Sequence, residues 1–261
     1  MSTLTVALVQ QAIEWLAPEH NFAQLDAQLS AQQAQLSGCD LIVLPETFAT
    51  GFALAEPCAE SPHHGEALAF LQRQAQRWQA VVAGSVLVAQ GEKKANRFYW
   101  CWPDGTVRHY DKRHLFCLGK EGEHVIAGQE RVVFEVNGFR ILPQVCYDLR
   151  FPVFQRNRND YDLMINVANW PAARRRIWDT LLQARAIENQ CYVVGCNRVG
   201  DDGYGTAHNG GTAAYDFTGA LLTSAPDNQA DVLVVNLEKA PLEAFKQDFP
   251  AHLDADAFAL Q

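Results

Sequence analysis

The sequence predicts an α/β fold of sheets covered by helices, and three observations carry that prediction. Short apolar segments of strand length recur from one end of the chain to the other, amphipathic helical stretches lie between them, and no repeat, low-complexity tract or linker interrupts the series. The chain has 261 residues, 48% hydrophobic and 20% charged. That is ample for one large core and sits at the upper end of single-domain size, so residues 1–261 are expected to form one domain.

The first strand is Leu4 to Val9. A helix follows from near Pro18, whose ring suits a first helical turn, with Phe22, Leu25, Leu29 and Leu36 along one side. Leu41 to Leu44 is apolar on both faces and belongs inside a layer. After Gly65, the spacing of Leu68, Leu71, Ala75 and Trp78 predicts a second helix. Val81 to Val88 and Arg97 to Trp102 are strands, followed by a hairpin turn at Asp104-Gly105. Further strands are Val132 to Val136, Arg140 to Val145 and Leu163 to Val167. A third helix, from about Ala173 to Asn189, is expected to bury Ile177, Leu181, Ala184 and Ile187. Tyr192 to Cys196, Thr212 to Asp216 and Val232 to Leu237 complete the series. This pattern alone leaves a three-layer and a four-layer sandwich both open.

Composition removes several function classes. A net charge of -9 argues against a nucleic-acid partner or an anionic membrane surface, each of which needs a concentrated basic patch. The run Arg174-Arg175-Arg176 is short and is expected to be a solvated helix start. Met1 to Gln10 carries no export signal, and no stretch reaches the roughly 18 apolar residues of a membrane span, so a cytoplasmic protein is expected. Seven cysteines, at 39, 58, 101, 117, 146, 191 and 196, make an odd count in a chain that needs no staples. Disulfides are not expected. No metal or other cofactor is expected either, since neither the cysteines nor the eight histidines fall at ligand spacing.

Three segments hold candidate chemistry. Leu41 to Glu46 is a buried strand that delivers a carboxylate to its end, just after a proline that cannot continue the ladder. Desolvation there would tune Glu46 toward a general base, while the competing role is a loop cap or a partner for a structural arginine. Arg140 to Cys146 repeats the design and ends in a cysteine, followed by Tyr147-Asp148-Leu149-Arg150-Phe151-Pro152. A thiol at such a turn meets converging backbone amides that favour a thiolate and an oxyanion, although a buried free cysteine is commonly inert packing. The third segment, Tyr110-Asp111-Lys112-Arg113-His114-Leu115-Phe116, carries a lysine that by itself would be a surface residue.

Leu44-Pro45-Glu46, the segment 110 to 116 and Val145-Cys146-Tyr147-Asp148-Leu149-Arg150-Phe151-Pro152 stand in the order and spacing of the nitrilase superfamily, the carbon-nitrogen hydrolases, which the chain resembles over nearly its whole length. Asn166 to Pro171 and Arg185 to Gln190 resemble later signatures, and the resemblance is closest to the bacterial omega-amidases. It implies a four-layer α-β-β-α sandwich, a homodimer, and a Glu-Lys-Cys triad of Glu46, Lys112 and Cys146 between the sheets. It also implies a second glutamate, placed on Glu121 by the spacing to Gly128, with Glu123 competing.

The implied reaction is hydrolysis of a small carboxamide through a cysteine thioester, with the terminal amide of 2-oxoglutaramate or 2-oxosuccinamate as leading substrate. Deaminated glutathione or an N-carbamoyl compound is the alternative within the family, and an acyltransferase or a non-catalytic scaffold the alternative outside it. Tyr147, through its backbone amide, and Trp170, as an apolar wall, are expected at the substrate. Asp148 and Arg150 are expected to pair with each other or with backbone groups. Arg150 or an arginine of the 174 to 176 run is the candidate for a substrate carboxylate, and Thr212 could approach the site. The tail from Asp248 to Gln261 could cover a partner or stay loose.

Overall fold

In the computed structural model, which describes residues 2–259, the strands follow one another as β1 (Thr3–Gln10), β2 (Leu41–Val43), β3 (Val81–Gln90), β4 (Lys93–Cys101) and β5 (Val107–Asp111), then β6 (Phe134–Val136), β7 (Phe139–Val145), β8 (Leu163–Ala168) and β9 (Tyr192–Asn197). The remaining strands are β10 (Val199–Asp201), β11 (Ala207–Asn209), β12 (Ala213–Tyr215), β13 (Leu221–Ser224) and β14 (Asp231–Glu238). Two six-stranded sheets result, in the orders β14-β1-β2-β3-β4-β5 and β13-β12-β9-β8-β7-β6, with β10 and β11 as a separate hairpin. β1, β2 and β3 run parallel, as do β7, β8 and β9.

Alternation along each strand decides the layers, because successive side chains leave opposite faces. Leu4, Val6 and Leu8 of β1 meet Ile141, Ile165 and Val194 of the other sheet in the central core. Ala7 and Val9, from the same strand, turn outward to Leu25, Leu29 and Leu71 on the helices Pro18–Ala31 and Glu66–Trp78. On the far side Leu142, Met164 and Val193 pack against Trp178 and Leu182 of the helix Arg175–Asn189. The order is therefore helix, sheet, sheet, helix: the α-β-β-α sandwich.

The third helix corrects one expectation. Its buried face is Trp178, Leu182, Arg185, Ala186 and Asn189, while Ile177 is 38% and Ile187 53% exposed. The apolar spacing of Ile177, Leu181, Ala184 and Ile187 is genuine, but it lies one residue round the helix from the face that meets the sheet. That inner face is specified by shape: a Cβ on Gly195 of β9 would meet Leu182 Cδ1 at 2.5 Å and Trp178 Cζ2 at 2.6 Å. Arg185, with a polar head, is drawn inward because its Nη2 donates to Leu149 O at 2.8 Å.

β5 is the second arm of the hairpin expected at Asp104-Gly105, whereas several short elements were not anticipated, among them the β10–β11 hairpin, β13 and the helix Lys239–Asp248, which buries only Leu242. Beyond it the chain returns to its own surface, with Arg158 4.3 Å from the Phe258 ring; residues 260 and 261 of the tail lie outside the described residues. All seven cysteines are free thiols. Among the described residues no helix is long and apolar enough to cross a membrane.

Trp178→Ala should cost about 3–5 kcal/mol, since an indole in this position leaves a cavity that the sheet cannot close. Urea-unfolding midpoints should show a larger loss than for Ile177→Ala; equal losses would place the buried face where the periodicity alone puts it.

Candidate active site

Strand ends from both sheets converge between them. β2 runs out at Val43, Leu44 still donates its N–H to Ala83 O at 2.7 Å, and Pro45 has no N–H to extend the pairing. Glu46 then turns inward, followed by Thr47 in the left-handed region at φ 48° with its N–H held by Ser85 Oγ at 2.9 Å. β5 delivers Lys112 and β7 delivers Cys146. Two groups thus come from the first sheet and the third from the second.

Lys112 Nζ lies 3.1 Å from Glu46 Oε1 and 3.0 Å from both carboxylate oxygens of Glu121. All three side chains are fully buried. Glu123 is exposed and sits 3.6 Å from Lys120, so only Glu121 of the two candidates reaches the lysine. Glu46 is held further by Asn96 Nδ2, 2.8 Å from Oε1, and by the Asn169 N–H, 2.8 Å from Oε2. Glu121 Oε2 also accepts the Phe116 N–H at 2.6 Å.

Cys146 takes φ 48°, a region that crowds the Cβ of any residue but glycine and costs about 1–2 kcal/mol. Asp148 holds this elbow. Its carboxylate accepts the Val145 N–H at 3.0 Å, the Tyr110 hydroxyl at 2.8 Å and the His114 N–H at 2.9 Å, with His114 Nδ1 at 2.7 Å. Of the two partnerships expected for Asp148, backbone groups are present and Arg150 is not. Arg150 instead places its guanidinium 5.2 Å from the centre of the Trp170 ring.

The charges decide where protons rest. Burial, and then the negative charge of Glu46, push the Cys146 thiol well above its ordinary range, with Lys112 pulling the other way. Burial opposes the charge on Lys112, but Glu121 and Glu46 outweigh it and raise the lysine above its usual value. Burial also lifts Glu121, against the pull of Lys112. At neutral pH the lysine is therefore charged and the cysteine protonated.

Glu46, Lys112 and Cys146 line one cavity of about 270 Å³, with Phe52, Leu54, Phe116, Tyr147, Trp170 and Pro171 as its apolar walls. Asp202, Tyr204, Thr206 and His208 close another side from the β10–β11 region. Tyr147 and Trp170 both line the cavity, and Trp170 also packs on Trp178 at 5.4 Å, so it belongs to wall and core together. Thr212 is not at the cavity; its hydroxyl donates to Asn197 O at 3.1 Å. The arginine run is not a uniform solvated helix start, because Arg174 lines the cavity and Arg175 pairs with Asp179 and Asp227.

Sequence reasoning missed Asn96 and Asn169 as partners of Glu46. An asparagine on a strand or after one carries no distinctive spacing, although the segment holding Asn169 did resemble a family signature. Among the described residues no group of three or more His, Cys, Asp or Glu side chains could hold a metal ion.

The carbon-nitrogen hydrolase family model matches residues 5–247. The omega-amidase YafV of Yersinia enterocolitica is 47% identical over 260 residues, covering 100% of both chains. A 2-oxoglutaramate amidase of Bacillus subtilis is 32% identical over 76% of this chain and 77% of its own. The crystal structure of XC1258 from Xanthomonas campestris, a CN-hydrolase superfamily protein with an arsenic adduct in its active site, superposes with a TM-score of 0.94 at 43% identity, covering 100% of both chains.

Because the charge of Glu46 raises the Cys146 thiol, Glu46→Gln should move its alkylation by iodoacetamide to lower pH, and Lys112→Met should move it to higher pH. Peptide mass spectrometry of the labelled cysteine across a pH series reads both shifts; a shift to higher pH in Glu46→Gln would contradict this electrostatic account.

Proposed function

Since the chain belongs to the carbon-nitrogen hydrolase family and is a hydrolase of carbon-nitrogen bonds other than peptide bonds, we propose that it is an omega-amidase that converts 2-oxoglutaramate or 2-oxosuccinamate to the oxo dicarboxylate and ammonia. The observation that carries this reading is the meeting of Cys146, Glu46 and Lys112 in one cavity with otherwise largely apolar walls. The choice of substrate is supported by the omega-amidase and the 2-oxoglutaramate amidase among the relatives.

In this reading Glu46 takes the thiol proton as Cys146 Sγ attacks the amide carbon. The carbonyl oxygen gains the negative charge, facing the Lys112 ammonium and the backbone N–H of Tyr147. Glu46 then passes the proton to the nitrogen, the C–N bond breaks, and ammonia leaves a thioester behind. A water molecule gives its proton to Glu46 and attacks the thioester. Collapse releases the carboxylic acid product and returns the proton to the Cys146 sulfur, which restores the starting state.

The charge count favours this route. Two carboxylates and one ammonium give the buried cluster a net charge of about -1 when all three are ionised, and this adds to the burial that already disfavours a free thiolate. Proton transfer to Glu46 during attack moves that negative charge onto the substrate oxygen without adding another to the site. Glu121 serves as the fixed partner that keeps Lys112 charged and aimed.

The same resemblance leads us to propose a homodimer, supported by the exposed Ile177 and Ile187 on the helix Arg175–Asn189, apolar side chains that a partner chain would cover. Sedimentation equilibrium should give the mass of two chains, and a monomer at micromolar concentration would remove the proposal.

Ammonia release should be faster from 2-oxoglutaramate than from glutamine, asparagine or deaminated glutathione, and absent in Cys146→Ala. Lys112→Ala should lower kcat by about 10²-fold or more. Preference for deaminated glutathione would leave the mechanism and change the substrate; equal release by native protein and Cys146→Ala would end the hydrolytic reading of this cysteine.

A further inference from the structure

The cavity holds two cations that the hydrolytic cluster leaves unused. Arg150 closes the elbow that begins at Cys146, and Arg174 directly precedes the helix Arg175–Asn189. Both line the cavity. Three other partly buried arginines are tied to acids: Arg97 to Asp111, Arg140 to Asp162 and Arg175 to Asp179. Among the described residues neither Arg150 nor Arg174 has an ion-pair partner, and each rests instead on an aromatic ring.

The stacking is what makes them usable. Arg150 Cζ lies 5.2 Å from the Trp170 ring centre and Arg174 Cζ 5.5 Å from that of Phe116. Trp170 links the two, since its Nε1–H donates to Arg174 O at 2.9 Å. A guanidinium lying on a ring keeps its N–H edge free for a planar anion. The acids of the cavity are already engaged: Glu46 with Lys112, and Asp202 Oδ1 with the N–H groups of Tyr204 and Thr206 at 2.9 and 2.8 Å. Lys112 is occupied by Glu46 and Glu121, so it does not serve the far end of a substrate.

We propose that Arg150 and Arg174 form a clamp for a carboxylate at the end of the substrate opposite the scissile amide, selecting monoamides of short dicarboxylic acids over neutral amides. Bidentate guanidinium–carboxylate pairing supplies the geometry, and a cavity of about 270 Å³ suits a chain of few carbons. This proposal rests on the amidase reading for its kinetics, whereas binding tests it independently.

Glutaramate and pentanamide differ only in a carboxylate in place of a methyl group. The native enzyme should prefer glutaramate, and Arg150→Gln or Arg174→Gln should each lower the ratio of kcat/KM for glutaramate over pentanamide about 10- to 100-fold, chiefly through KM. Arg174→Lys should restore part of that ratio, because a point charge without the fork remains. An unchanged ratio in both glutamine variants, or equal slowing on both amides, would overturn the clamp. Calorimetric titration of 2-oxoglutaramate into Cys146→Ala, with and without each arginine substitution, decides the clamp even if native protein hydrolyses neither amide. Affinity lost with either arginine supports it, and affinity that is absent or indifferent to both overturns it.

Discussion

A lysine ammonium with no solvent exposure can keep its charge only if carboxylates surround it, and Lys112 has Glu46 on one side and Glu121 on the other. Much of the centre of this protein follows from that arrangement. Removing one partner of a buried ion pair typically costs about 3–5 kcal/mol, so the segments carrying the three groups are bound to one another whatever their chemical use. The loop after β5 has to bring Glu121 back over the lysine, and it does so with the Phe116 N–H on Glu121 Oε2. β2 has to end abruptly at Pro45, so that Glu46 can point between the sheets.

The second sheet is joined to this cluster through Asp148. Its carboxylate gathers the Tyr110 hydroxyl from β5, the His114 N–H from the following loop and the Val145 N–H just before the elbow. The strained backbone at Cys146 is therefore held by groups from both sheets, and the sulfur is carried to the charged cluster as the sheets pack. His114 adds a stacked contact on Phe151, with ring centroids 4.0 Å apart. A proposed nucleophile on one layer and its proposed base and cation on the other require this kind of cross-layer tie, because small shifts between layers change reactive distances directly.

Around that cluster the cavity separates two kinds of positive charge. Lys112 is neutralised and fixed in place, suited to a charge that develops on a carbonyl oxygen. Arg150 and Arg174 lie on aromatic walls with their N–H edges unclaimed by acids, suited to a charge that the ligand brings with it. The aromatic residues exclude water and support the guanidinium planes together, so substrate recognition and desolvation share the same side chains.

What was legible in the sequence was whatever depends on local order: strand and helix alternation, the proline that ends β2, and the motifs that put Glu46, Lys112 and Cys146 at segment ends. Strand alternation and breaker residues act within a few positions, so they survive in one dimension. Other features were decided only when the layers met. The helix Arg175–Asn189 turned Trp178 and Leu182 inward because Gly195 leaves room there, whereas its apolar periodicity favoured Ile177 and Ile187. Glu121 prevailed over Glu123 because its side chain alone points back to the lysine, and Asn96 and Asn169 became partners of Glu46 across 50 and 123 residues of chain. Asp148 bound Tyr110 and His114 rather than the nearby Arg150, which freed that arginine for the cavity. Such choices depend on distances between segments remote in sequence, and those distances exist only once the two sheets have packed face to face.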